Sequence, residues 1–274
     1  MKYGIFYIAT SVYKNYFENF LNTSKYIFPD KFKQLIVLSD GLNEYNGTVV
    51  NKNTIITVEN IIDYPYPLIN LCKFQTIYHY AKKHNIDKIL YFDADTIIFE
   101  KDNDFWKNVE NLLNTDKLIC SYHPHYLYNN DILTTYCFPH FNEDIACSID
   151  ESLIYKNRCY IMSSFFMGSI NAIKYAADKI YEYSSKDLKN HRWIPTFSDE
   201  TYLNALYIKD NIIENKNTIY LDKYITINPY STFYNDFCIT NRNNDDIWHN
   251  NFMEINSLFI NQKYDIKLKE QKRG

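Results

Sequence analysis

Lys88-Ile-Leu-Tyr-Phe-Asp-Ala-Asp-Thr-Ile-Ile98 is the stretch that decides how this chain folds. Its apolar first half has the length and composition of a buried strand, Ile89 to Phe92. The run delivers two aspartates, Asp93 and Asp95, at its far end. Residues two apart on an extended chain point the same way, so both carboxylates are expected to face one small hard cation. Mg²⁺ or Mn²⁺ held by one or two carboxylates keeps positions open for phosphate oxygens. A bare D-x-D is also what an acidic turn after a buried strand contains, so the rest of the chain has to decide.

Working outward, Tyr3 to Ala9 reads as a short apolar strand, and Tyr16, Phe17, Phe20, Leu21 and Ser24 give Val12 to Phe28 a helical period. Pro29 stops that helix. Gln34 to Leu38 is a second buried strand ending in the turn Ser39-Asp40-Gly41, and Thr54 to Val58 is a third. Pro65 and Pro67 mark a loop before a helix from Leu71 to His84, with Phe74, Ile77, Tyr78 and Ala81 on one face. This β-α-β-β-α-β alternation predicts an α/β sheet with helices on its faces. Ligands in such sheets sit beyond the carboxyl ends of the strands, where Asp93 and Asp95 lie.

Further along, Leu118 to Tyr122 is a strand leading to His123-Pro-His-Tyr126, and residues 127 to 157 read as a long loop. Tyr160 to Phe166 is a strand, and Ser169 opens a helix through Ala172, Tyr175, Ala176 and Ile180. After Pro195, Ser198-Asp-Glu200 begins another helix, Thr218 to Leu221 is a last short strand, and 265–274 is a charged, solvated tail.

The 274 residues suffice for one large α/β domain or two small ones. Hydrophobic residues at 46% exclude a disordered chain, and a net charge of −4 offers no basic field for nucleic acid. No run of 18 apolar residues exists that would span a membrane. Met1 to Ala9 is too short for a cleavable leader and is expected to be the first strand. The six cysteines are scattered, without a C-x-x-C pair, as expected of small buried residues in a reducing, cytoplasmic setting.

Four more places carry candidate chemistry. Glu200, at a helix start, can stabilise or attack a developing oxocarbenium ion, as carboxylates do in retaining glycoside chemistry. The same acidic residues also suit a helix N-terminus for purely structural reasons. His123 at a strand end can meet a sugar hydroxyl. Lys73, among apolar residues, can neutralise phosphate or simply snorkel to the surface. Arg242, in a polar segment, can pair with a diphosphate.

The order of these pieces resembles glycosyltransferase family 6, which includes the histo-blood-group A and B transferases, α-1,3-galactosyltransferase and shorter bacterial relatives. Ile5-Phe-Tyr-Ile-Ala-Thr10 with Tyr13 looks like the family's opening strand and helix. Leu71-Cys-Lys-Phe74 resembles the helix that presents a basic residue to the donor, with Lys73 in place of the usual Arg. Asp93-Ala-Asp95 matches the metal-binding D-x-D, and His123-Pro124 the acceptor-contacting pair. Tyr160-Ile-Met-Ser-Ser-Phe-Phe-Met-Gly168 is similar to the donor-selecting segment, and Ser198-Asp-Glu-Thr-Tyr-Leu-Asn204 to the segment with the catalytic Glu. Arg242-Asn243 matches the segment that covers the diphosphate. Phe197-Ser198 replaces the family's Trp-His, Met167 stands where Gly is usual, and the family's Glu-Arg-Arg segment after His-Pro is not recognisable. There is no membrane anchor or stem, so the chain looks like a catalytic domain of bacterial or viral type.

The resemblance implies a single-domain GT-A fold over 1–264, with a nucleotide-binding part to about residue 122 and an acceptor and donor-sugar part beyond it. It implies a metal-dependent, retaining α-1,3-glycosyltransferase that moves galactose, or GalNAc, from a UDP-sugar to a galactoside. Asp93 and Asp95 are then expected to hold Mn²⁺ or Mg²⁺, and Glu200 to be catalytic. The donor would meet Ile8, Ala9, Thr10, Tyr13, Lys73, Met162, Ser164, Asp199 and Arg242, and the acceptor His123, Phe197 and Glu200. In the family, Met with a small residue other than Gly goes with galactose, so the resemblance implies that Met162 and Ser164 would crowd an N-acetyl group and favour galactose. Two other readings start from the same residues: a haloacid-dehalogenase-type phosphatase with Asp93 as nucleophile, and a non-catalytic sugar-binding protein on a transferase scaffold.

Overall fold

The sheet is built outward from β1 (Tyr3–Ile8), which pairs in parallel with β2 (Phe32–Ser39) on one side and β4 (Lys88–Asp93) on the other. Strand β3 (Ile55–Asn60) continues in parallel beyond β2. Past β4 the direction reverses: β6 (Ile161–Ser169) runs antiparallel to β4, and β5 (Leu118–Tyr122) antiparallel to β6. The order is β3-β2-β1-β4-β6-β5, a mixed six-stranded sheet flanked by helices. The computed structural model describes residues 1–24, 28–65, 67–96, 103–122, 144–150, 161–192, 194–195 and 198–212. The expected strand at 218–221 and the tail at 265–274 lie outside these.

Alternation along the strands divides the core into two apolar layers. Phe6, Ile8, Ile36, Leu38, Ile89, Tyr91 and Phe166 face α3 (Lys73–Lys83), α5 (Ile170–His191) and α6 (Ser198–Ile212). Ile5, Tyr7, Leu35, Val37, Leu90, Phe92, Phe165 and Met167 face α1 (Phe17–Ser24) and α4 (Asn103–Leu113). A four-residue turn of helix, α2 (Leu68–Leu71), leads through Cys72 into α3, so the helical path starts earlier than expected. The first expected helix is split, with a 3-10 segment at Ser11–Tyr16 before α1. Helix α4, with Trp106, Val109 and Leu113 buried on one face, was not among the elements expected from the sequence.

Helix α5 starts as expected at Ser169, whose Oγ accepts from the Ala172 N–H at 3.1 Å and satisfies an otherwise orphaned donor. It runs on past the expected Ile180 to His191, because the buried stripe that begins at Ala172 continues through Ser184 and Asp187. Gly168, just before it, leaves no room for a side chain. A Cβ there would lie 2.7 Å from the Lys117 carbonyl oxygen, which is backbone and cannot rotate away. Gly168→Ala is therefore expected to destabilise the fold by about 1–3 kcal/mol, read as a lowered urea midpoint with an unchanged slope.

Within the segment expected to be a loop, residues 144–150 pack into the first layer through Ile145, Cys147 and Ile149. Ala146 is gripped from both sides. Its N–H donates to Asp187 Oδ1 at 2.5 Å, and its carbonyl accepts from Lys209 Nζ. Asp187 also accepts from the Tyr202 hydroxyl at 3.1 Å. Burial, followed by the nearby Asp187, pushes the Cys147 thiol well up, so it is a packing group rather than a nucleophile. Cys72, Cys120 and Cys147 are all free thiols, and Cys137, Cys159 and Cys238 lie outside the described residues. Among the described residues no helix is long and apolar enough to cross a membrane.

Candidate functional site

The chain leaves β1 toward β2 and β3, then returns to the other side of β1 as β4. Between these two strands the connections diverge, and that divergence opens a crevice at their carboxyl ends. Ile8 and Asp93 are register partners there. Ala9 and Thr10 after β1, and Ala94 and Asp95 after β4, therefore lie at the same end of the sheet. The first connection carries no glycine-rich loop. Its Ala9 N–H bonds the Leu38 carbonyl at 3.0 Å, and Ser39 Oγ donates to the Ala9 carbonyl at 2.5 Å. Tyr13, half-buried, follows in the 3-10 turn, its N–H bonded to the Thr10 carbonyl at 3.0 Å.

The strand expectation for the two aspartates needs a correction. Strand β4 ends at Asp93, and Ala94-Asp95 is a turn closed by Thr96 N–H on the Asp93 carbonyl at 3.2 Å. Period-two alternation thus does not carry Asp95, whose position is set by the turn. Two tyrosines hold that turn. Tyr7 on β1 donates to the Ala94 carbonyl at 2.7 Å, and the Tyr91 hydroxyl donates to Asp93 Oδ1. Both phenols are pushed well up, first by burial and then by the carboxylates: Asp95 and Asp93 for Tyr7, and Asp93, Asp199 and Asp95 for Tyr91. Both aspartates therefore lie within electrostatic reach of the same two rings.

Asp93 follows Ile89 and Tyr91 onto the face covered by α3 and α6. Lys73, in the first turn of α3, is only 3% exposed, so it is no snorkelling surface residue. Its Nζ lies 3.1 Å from Asp93 Oδ1 and 3.1 Å from Asp199 Oδ2, with the Ser163 carbonyl at 3.3 Å and the Tyr91 ring centroid at 5.3 Å. Burial alone would push the ammonium down. Asp199 first and Asp93 second more than reverse this, and Lys73 stays charged well above its ordinary range. Phe74, Phe166 and Tyr91 stack beneath it at centroid separations of 4.3 and 4.6 Å.

Helix α6 is buried on nearly every side. Ser198 opens it at φ 37°, the left-handed region that costs a non-glycine residue about 1–3 kcal/mol. Asp199, 2% exposed, accepts from Ser198 Oγ at 3.2 Å and pairs with Lys73. Glu200 Oε2 accepts from the Ser163 N–H at 2.9 Å. Residues 73, 93, 163, 199 and 200, far apart in the chain, thus form one connected network.

Of the two residues expected to meet the donor sugar, Ser164 is half-buried while Met162 is 3% exposed and packs in the second layer with Phe92 and Ala94. Both sit at an irregularity in β6. Cys120 pairs with Phe166, yet Tyr122 pairs with Ile161, so β6 carries three residues more than its partner across this interval. A bulge of this kind re-aims side chains. His123, Phe197 and Arg242 lie outside the described residues.

Four residues to which the sequence reading gave no role complete the site: Tyr7, Tyr91, Ser163 and Asn204. Tyr91 was findable, being two residues before Asp93 on the same strand face. Asp93 and Asp199 flank the Lys73 ammonium, and Asp95 and Glu200 follow them closely in the chain, so this end of the sheet gathers carboxylates that a hard cation can neutralise. No group of three His, Cys, Asp or Glu side chains forms a ready-made cage among the described residues. Two carboxylates plus ligand oxygens nevertheless fit the demands of Mg²⁺ or Mn²⁺.

The chain matches no protein-family model and no curated protein.

Proposed function

We propose that this protein is a metal-dependent, retaining α-1,3-glycosyltransferase of the GT-A type that moves galactose from UDP-galactose to a galactoside. One observation carries the reading. Lys73 ties the aspartate turn at the carboxyl ends of β1 and β4 to the Asp199-Glu200 pair, so three of the seven segments that carry the family resemblance meet in one place. The open sheet, with its divergence of connections at Ile8 and Asp93, supports a nucleotide site there.

In this reading Asp93 and Asp95 hold a divalent cation, which supplies Lewis-acid stabilisation of the departing diphosphate. Lys73 keeps the carboxylates together and limits their repulsion of the donor's phosphates. Asp199, whose Oδ2 faces Lys73, would exchange the Ser198 hydroxyl on its Oδ1 for a sugar hydroxyl when the donor binds. Glu200 stabilises positive charge at the anomeric carbon, with its position set by the Ser163 N–H. Ser164 lies beside these groups and bears on the choice between galactose and GalNAc.

The Lys73–Asp93 pair also suits a phosphatase whose aspartate attacks phosphorus, since the ammonium would neutralise phosphoryl oxygens. The two readings separate in one assay. UDP release is followed from UDP-galactose and UDP-GalNAc, with and without Mn²⁺, using lactose as acceptor, for wild type and Asp95→Asn. Release from UDP-galactose that needs metal, and a raised metal requirement in Asp95→Asn, is the expected result. Phosphate release from simple phosphoesters without sugar transfer would favour the phosphatase, and UDP binding without turnover a sugar-binding scaffold.

A further inference from the structure

The first three residues of β6 are held by side chains. Asn204 Oδ1 accepts from the Ile161 N–H at 2.7 Å, and Asn204 Nδ2 donates to the Ile161 carbonyl at 2.7 Å and to the Glu200 carbonyl at 2.8 Å. One turn earlier on α6, Glu200 takes the Ser163 N–H, while Lys73 donates to the Ser163 carbonyl. The spacing explains how a helix can do this. Four helical residues rise about 6 Å and two strand residues about 6.6 Å, so Glu200 and Asn204 meet alternate residues of the strand. Helix α6 acts as a substitute strand along the start of β6.

Asn204 is 0% exposed and makes three of the four hydrogen bonds its amide can form, using its oxygen once and both N–H donors. A flipped amide would set like against like at all three contacts, so only one orientation is compatible with its surroundings. Met162 lies between the Asn204 rung at Ile161 and the Glu200 rung at Ser163, with Ser164 just beyond, at the bulge.

We infer that Asn204 is a positioning residue. It sets the bulged segment Met162–Ser164, and through it the choice of donor sugar, relative to Glu200. The inference rests on the transferase reading. Asn204 itself touches no substrate. Its amide decides where β6 starts, and a shift of about 1 Å at a reacting centre is worth roughly a hundredfold in rate.

The test uses Asn204→Ala and Asn204→Asp in the full chain. Turnover of UDP-galactose and UDP-GalNAc is measured alongside UDP binding by calorimetry and thermal melting. In Asn204→Ala, kcat is expected to fall by about a hundredfold with UDP affinity nearly unchanged, and the ratio of the two donors' kcat/KM to shift. Asn204→Asp keeps the acceptor for Ile161 N–H but turns an oxygen toward two carbonyls. Its activity relative to wild type is expected to rise as pH falls from 8 to 5.5, because a protonated carboxyl recovers one donor.

An unchanged donor ratio, or a kcat within twofold of wild type in a melting-stable Asn204→Ala, would overturn the inference. If that variant does not melt cooperatively, the pH profile of Asn204→Asp decides, and a profile parallel to wild type overturns it. A wild type that transfers from neither donor would remove the transferase reading and this inference with it. An active wild type with unaffected variants removes the inference alone.

Discussion

Replacing Lys73 with methionine is expected to destabilise the fold by about 3–5 kcal/mol, the cost of leaving a buried ion pair with one partner. Asp199, 2% exposed, would lose its cation, and Asp93 would keep only the Tyr91 hydroxyl on its Oδ1. Against a total stability of about 5–15 kcal/mol this is a large fraction, visible as a lowered urea midpoint. The pH dependence follows in sign. The folded protein holds the Lys73 ammonium well above its ordinary range. Its contribution is therefore fully present below the unfolded value of about 10.4 and is lost only as pH rises through the higher folded value. Wild type should show no Lys73-dependent change between pH 5 and 9. Lys73→Arg should restore much of the loss, since a guanidinium fork can reach both aspartates. If Lys73→Met were as stable as wild type at pH 7, the network would not hold the site together.

The second large effect concerns rate. Glu200→Gln keeps an oxygen for the Ser163 N–H and loses only the charge. Stability should therefore change by less than about 1 kcal/mol, while kcat falls by about 10²–10³-fold, the range for removing one preorganised electrostatic group. Glu200→Ala should lower kcat similarly and also cost about 1–3 kcal/mol, because the Ser163 N–H loses its acceptor. Denaturation and single-turnover rates measured on both variants separate the roles. Equal kcat for wild type and Glu200→Gln would leave Glu200 with a structural role alone.

Much of the sheet could be read from residue pattern, because β1, β2 and β4 are apolar runs buried on both faces and bounded by turns. The aspartate turn, the basic residue at the start of α3 and the acidic start of α6 were named from the sequence as well. What it could not supply was their mutual contact. Lys73 looks from its neighbours like a surface lysine, and only the convergence of β4 and α6 on its ammonium buries it. Asn204 bonds a backbone 43 residues away, and nothing local in the sequence marks that partner. Asp95 was assigned its direction by strand alternation, yet the strand ends two residues sooner, a boundary set by the Thr96–Asp93 turn bond. Helix α4 went unread although Trp106, Val109 and Leu113 have a helical period.

The place of β6 in the sheet has a consequence in time. It is the only described neighbour of β5 and completes the open side of β4. As the chain is synthesised, β1 to β4 have all emerged by residue 93 and can pair among themselves. One edge of β4 then waits for residues 161–169, an interval of roughly 4–15 s at about 5–20 residues per second. Until then a nascent chain presents a bare apolar edge, the surface that invites pairing with other chains. The same late strand brings Ser163, the anchor for Glu200 and Lys73. A chain halted before β6 thus lacks the Ser163 anchor and keeps its apolar edge bare, so assembly of the Lys73 network and exposure to chaperones and proteases are coupled by the order of the strands.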